Sequence, residues 1–162
     1  MKKCVVLALC ACLLTGCSAE VFETLGPIEH VAATMPQQRT VALMLPADAA
    51  VLTAAGEHTL YVCDNFSLAV ETMASGDLHG TLHTISGFEK EKLTVMEQSC
   101  GDHKRYDLVW TAAGEEGDIL CRAAVIDDGH YHYCLTAMVE ADQASAVQST
   151  WNDLFASYCL EN

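Results

Sequence analysis

Residues 118–139 read DILCRAAVIDDGHYHYCLTAMV, and this stretch decides the fold. Asp118 to Ile126 and His130 to Val139 are two strand-like runs joined at Asp127-Asp128-Gly129, a turn signal of the kind that closes hairpins. Strand side chains alternate with a period of two. In the second arm Tyr131, Tyr133, Leu135, Ala137 and Val139 therefore share one face. An apolar face of this size needs neighbouring strands and a covering layer, because a lone hairpin is at best marginally stable in water.

The flanking sequence supplies both. Arg105 to Ala112 reads as a strand with Tyr106, Leu108 and Trp110 on one side, and Lys92 to Glu97 as another with Leu93 and Val95 inward. Gly114-Glu115-Glu116-Gly117 is a turn. Thr59 to Cys63 and Phe66 to Met73 flank Asp64-Asn65, a two-residue hairpin turn. Val41, Leu43 and Leu45 alternate until Pro46 stops the run, which predicts a strand from Thr40, and Ala47 to Gly56 reads as a small-residue connection with a short helical turn. Helical spacing occurs twice. Leu78, Leu82 and Ile85 lie between Ser75 as N-cap and Gly87 as C-cap. Val147, Trp151, Leu154, Phe155 and Tyr158 form a stripe after Asp142 as N-cap. The expected fold class is α+β: a mostly antiparallel sheet of about six to seven strands covered, on one or both faces, by two amphipathic helices.

Composition agrees and excludes several function classes. Of 162 residues, 51% are hydrophobic and 19% charged, which suits a cored domain and argues against disorder. The formal charge of −14, from 8 basic and 22 acidic residues, makes nucleic acid an unsuitable partner. Anionic lipid headgroups should repel the domain unless something tethers it.

The tether is written at the start, MKKCVVLALCACLLTGC. Lys2 and Lys3 precede an apolar run from Cys4 to Leu14, too short to span a bilayer comfortably and shaped like a signal peptide. Leu14-Thr15-Gly16-Cys17 resembles a bacterial lipobox. That resemblance implies cleavage after Gly16 and acylation of Cys17, leaving 146 residues and a formal charge of −16. The expected organisation is a signal peptide at 1–16, a lipid-anchored tether at 17–39 with its turn signals Gly26-Pro27 and Met35-Pro36, and one globular domain at 40–162. The expected location is the extracytoplasmic face of a cell membrane.

The order of elements also resembles the PsbP/Mog1-like fold family, that of photosystem II accessory protein P and the Ran-binding Mog1 protein. The resemblance is carried by Leu78-His79-Gly80-Thr81-Leu82, Ile85-Ser86-Gly87-Phe88, Ala124-Val125-Ile126-Asp127-Asp128-Gly129 and Trp151 to Phe155, over Thr40 to Leu160. It implies a noncatalytic assembly or binding role, and it carries no functional residue to a position here; the expected partner is an unidentified envelope protein.

Chemistry-bearing residues are sparse. Outside the first seventeen residues the cysteines are Cys63, Cys100, Cys121, Cys134 and Cys159, an odd number with no CxxC. With Ile126 opposite Gly129, Cys121 and Cys134 would face each other across the hairpin, while a slip of one residue puts them on opposite faces. A disulfide and a small buried hydrophobe are both open readings. His130 and His132 flank Tyr131, and His79 and His83 are spaced i, i+4 on a helix, so each pair has metal-ligand spacing. Neither comes with the Glu of an HExxH motif. Asp127-Asp128 and Glu115-Glu116 read as turn formers rather than paired catalytic carboxylates. There is no GxSxG elbow and no phosphate loop, so no enzyme activity and no cofactor is expected. The alternative to an accessory module is a small-ligand or metal-binding lipoprotein using the histidine faces.

Lipidation gives the first test. Cys17→Ala is expected to lose incorporation of a fatty-acid analogue and to accumulate as uncleaved precursor. Label persisting in the variant would sink the lipobox reading.

Overall fold

The 118–139 stretch forms the centre of the sheet, in a computed structural model that describes residues 36–115 and 117–161. The signal segment 1–16, Cys17, the tether up to residue 35, and Glu116 in the expected turn lie outside the described residues. In chain order the elements are β1 (Val41–Ala42), β2 (Ala50–Ala55), β3 (His58–Val62), β4 (Ser67–Ala74), α1 (Leu78–Ser86), β5 (Thr94–Cys100), β6 (His103–Ala113), β7 (Asp118–Asp127), β8 (Tyr131–Glu140), α2 (Ala144–Ser157) and β9 (Cys159–Leu160). Seven strands form one antiparallel sheet in the order β2-β3-β4-β8-β7-β6-β5, and β1 pairs with β9 separately. This is the expected α+β class.

Side-chain alternation sends two cores to opposite faces. On one, Leu68, Ile126, Tyr133 and Leu135 pack against Val147, Trp151, Leu154 and Phe155 of α2. On the other, Tyr106, Leu108, Val125 and Cys134 pack against Leu82 of α1, with Leu78 and Ile85 at the margin. Each helix therefore covers one face. Gly87 closes α1 at φ 75°, a conformation that L side chains adopt at a cost, and its N–H donates to the His83 carbonyl.

The turn at the centre differs from the sequence reading, and the cause is a carboxylate. Asp128 Oδ1 accepts from the His130 and Tyr131 N–H groups at 2.8 and 2.7 Å, and its Oδ2 accepts from the Tyr133 hydroxyl at 3.0 Å. Burial raises the Asp128 pKa, but these hydrogen bonds outweigh it and hold the carboxyl below its usual range. They centre the turn on Gly129-His130, with Gly129 at φ 86°. Ile126 then pairs with Tyr133 rather than Gly129, and Cys121 lies opposite Met138 while Cys134 lies opposite Val125. The two cysteines share a face but stand four positions apart along the strands, too far for the cross-strand bridge considered above. The Tyr133 hydroxyl also accepts the Arg39 N–H at 2.8 Å, and the Tyr131 hydroxyl donates to the Pro36 carbonyl at 2.9 Å, so residues 36–39 are tied to the hairpin.

Four other elements depart from expectation. Ala50–Ala55 is the edge strand β2, not a helical turn. All six residues are exposed, so no apolar alternation marks it. The Val41–Leu45 run shrinks to two paired residues because its partner β9 is equally short, and the Met44 N–H turns to the Ser157 hydroxyl instead. The caps also move: Asp77, not Ser75, receives the His79 N–H, and a 3₁₀ turn at Ala141–Gln143 displaces Asp142 from the start of α2.

Docking of α2 is testable. Trp151 is 5% exposed and meets Phe66 edge-on at 6.1 Å between centroids, whereas Gln148 is exposed. Truncating a buried aromatic costs about 3 to 5 kcal/mol, out of roughly 5 to 15 kcal/mol for a domain. Trp151→Ala is expected to lower the melting temperature by many degrees and Gln148→Ala to leave it nearly unchanged. Equal melting temperatures would refute the packing.

Candidate functional site: a groove beside the C-terminal helix

The four sequence-nominated histidines do not converge. His79 and His83 lie on the outer side of α1, each 3.7 Å from a glutamate, Glu91 and Glu89 respectively. His130 is exposed in the turn, where strand alternation does not apply, while His132 is buried on the α1 face. A strand placing of both, which would set His130 and His132 on one face, therefore fails, since β8 begins at Tyr131. The His132 ring bonds Thr81 Oγ1 at 2.7 Å and lies 3.7 Å from Asp127 Oδ2, tying α1 to the sheet. Among the described residues, no three His, Cys, Asp or Glu side chains are grouped to hold a metal ion. Asp127 and Asp128 accept backbone N–H groups of their own turn.

The feature that the sequence reading missed is a groove. On the α2 face the helix covers β4, β8 and β7, but β6 and β5 extend beyond it. Thr94, Met96 and Gln98 of β5 lie opposite Val109, Asp107 and Arg105 of β6, so all six side chains point to this face. Met96 and Val109 are 67% and 52% exposed, large apolar side chains on an open floor. Asn152 and Ala156 of α2 form the wall. The hollow has a volume of about 660 Å³, against 340–370 Å³ for four others on the surface. One of those smaller hollows continues it along α2, sharing Val109, Arg122 and Asn152.

Two arginines organise the groove. Arg105 forms a two-point ion pair with Asp107, with Nε and Nη2 at 2.8 and 3.0 Å from the carboxylate oxygens. The same guanidinium donates to the carbonyls of Phe155 and Tyr158 at 3.0 and 2.9 Å. α2 has no basic residue in its last turn, so Arg105 supplies from the sheet the positive charge that a helix C-terminus favours. The hydrogen bond to Asp107 raises its pKa despite burial. Arg122 lies over the Phe155 ring at 4.2 Å and donates to Asn152 Oδ1 at 3.2 Å. It has no carboxylate within ion-pair distance among the described residues. Burial, followed by the neighbouring Arg105 charge, lowers its pKa against the pull of Asp107. An arginine nonetheless stays ionised at neutral pH. The groove thus offers an apolar floor beside Arg122, a cation with no carboxylate at ion-pair distance among the described residues. The sequence signal was present in Arg105, Asp107 and Val109, which alternate with the core residues Tyr106, Leu108 and Trp110.

The Arg105 contacts predict a stability effect. Arg105→Met leaves Asp107 and two helix-end carbonyls without their donor, at a cost of about 1 to 3 kcal/mol. Arg105→Lys is expected to restore only part, since an ammonium lacks the two-point geometry. Urea unfolding checks both, and an unchanged midpoint in the methionine variant would contradict the assignment.

No family model and no curated protein matches the sequence. Solved structures match the fold. Cyanobacterial PsbP (CyanoP) from Synechocystis sp. PCC 6803 superposes with a TM-score of 0.57 at 12% identity, over 85% of this chain and 99% of that one. LpqN of Mycobacterium tuberculosis, described as involved in cell envelope biogenesis, gives a TM-score of 0.51 at 12% identity, over 78% of this chain and 86% of that one. The chain has a PsbP-like α+β fold.

Proposed function

We propose that this protein is a noncatalytic, lipid-anchored accessory module of the bacterial cell envelope whose working surface is the groove beside α2. The observation that carries the reading is the uncovered floor at Met96 and Val109 next to Arg122. Exposed apolar side chains bordered by polar groups are the usual mark of a binding surface. The fold likeness to CyanoP and to an envelope-biogenesis protein is compatible with this reading. The anchor rests on the lipobox-like Leu14-Thr15-Gly16-Cys17. No helix among the described residues is long and apolar enough to cross a membrane. A tether at Cys17 would hold the acidic domain at the membrane against repulsion from anionic lipid.

A groove of this volume also lies within the range of small-molecule sites, so a small ligand bound at Arg122 is the second reading.

The test is photo-crosslinking of the full chain in its own host, with the reactive residue at Met96 or, as control, at exposed Thr84 on α1. A discrete protein adduct is expected from position 96 alone, lost when Arg122→Glu is added. Identical adducts from both positions would overturn the reading. A ligand-induced rise in melting temperature, abolished by Arg122→Glu and without any protein adduct, would favour the second.

A further inference from the structure

The five described cysteines separate by burial. Cys63, Cys121 and Cys134 are 5%, 3% and 0% exposed, and burial pushes their thiols up to about 11, 11 and 12. They behave as small apolar side chains. Cys100 is half-buried and Cys159 exposed, and both line the groove beside α2.

Their common location follows from two arginine contacts. Arg105 Nη1 holds the Tyr158 carbonyl at 2.9 Å, on one side of Cys159. Arg39 Nη2 holds the Glu161 carbonyl at 3.3 Å on the other side, while its Nη1 holds Asp102 at 2.8 Å. Asp102 lies in the β5–β6 turn, two residues beyond Cys100. The backbone carrying Cys159 is therefore fixed over the end of β5 and β6. Alternation then sets its direction: Tyr158 and Leu160 are 1% and 6% exposed, so Cys159 between them turns away from the core. Cys100 lies opposite His103, in the same side-chain row as Gln98 and Arg105, and so on the groove side of β5.

We propose that Cys100 and Cys159 form a dithiol pair that closes into a disulfide across the end of the groove. The oxidant is a disulfide of the glutathione class or a protein dithiol oxidase. The Cys159 thiolate attacks one sulfur of that disulfide, and the other sulfur leaves and takes up the proton as a thiol. The Cys100 thiolate then attacks the Cys159 sulfur of the mixed disulfide, releasing the second thiol with its proton. One disulfide is reduced and one is formed. The new bond joins the edge strand β5 to the segment that follows α2, and it closes a long chain loop, which restricts the unfolded state. The odd count of described cysteines is then accounted for: three thiols are buried and two remain to react. The proposal does not depend on what the groove binds.

The experiment treats the full chain with oxidised glutathione, alkylates the remaining thiols, and maps peptides after combined tryptic and glutamate-specific cleavage. Cleavage at Lys92 and Lys104 isolates Cys100, and cleavage after Glu140 separates Cys159 from Cys134. A Cys100–Cys159 linked peptide is expected as the main product, absent from Cys100→Ser and from Cys159→Ser. The oxidised protein is expected to melt several degrees above the reduced one, a difference that Cys100→Ser abolishes. Two outcomes overturn the proposal. One is glutathione carried separately on both cysteines without joining, which would put their Cα atoms beyond the about 7 Å that a disulfide spans. The other is linkage of either residue to a different cysteine.

Discussion

A sheet of seven strands is about 29 Å across, since neighbouring strands are about 4.8 Å apart, while a helix with its side chains is only about 10 to 12 Å wide. One helix per face therefore cannot cover this sheet, and most of what distinguishes the molecule follows from where each helix sits. α2 lies over the strands nearest the centre, where the Tyr133, Leu135 and Ile126 side chains are buried. The consequence appears at the edges: β2 is exposed along its whole length, and β5 presents Met96 to solvent. The groove is thus the uncovered remainder of a face that the fold leaves half-clothed.

What keeps α2 in register with the sheet is mainly apolar, but its C-terminal end is fixed by Arg105. One guanidinium satisfies a carboxylate on its own strand and two carbonyls at the helix end. Such a pair is partly desolvated, with both side chains below one-fifth exposed, so its value lies in the complete set of donors and acceptors rather than in Coulomb attraction alone. The same contact defines one wall of the groove and aligns Tyr158 and Cys159. A single side chain thus fixes both the helix end and the edge of the groove.

The sheet was legible wherever one face of a strand was buried and the other was not. Tyr106, Leu108 and Trp110 or Tyr131, Tyr133 and Leu135 announce themselves by period. β2 did not, because a strand exposed on both faces has no reason to alternate, and Ala50-Val51-Leu52-Thr53-Ala54-Ala55 is composed largely of small residues. The hairpin register was misplaced for a different reason. The turn signal Asp127-Asp128-Gly129 was recognised, but which residue the Asp128 carboxylate would bond is a matter of three acceptor contacts that no pattern encodes. The groove was hidden because it is built from positions that sequence reasoning treats as the solvent side of a strand. Its residues become a site only when the neighbouring helix stops short of them.

Charge sets what the proposed binding groove would admit. In a chain with 22 acidic and 8 basic residues, most cations close to the sheet are already engaged: Arg39 with Asp102, Lys104 with Glu97, and Arg105 with Asp107. Arg122 is held in place by Asn152 and the Phe155 ring, neither of which neutralises it. A polyanion would be repelled by the body of the domain before reaching it, since like charge raises the cost of approach over about a Debye length, roughly 8 to 10 Å at ordinary salt. A partner that is cationic or neutral overall, and that carries one carboxylate beside an apolar side chain, meets no such barrier and matches both the floor and Arg122. Under the proposed reading the acidic surface would act as a filter, and Arg122, which has no carboxylate within ion-pair distance among the described residues, would be the point at which the ligand is fixed.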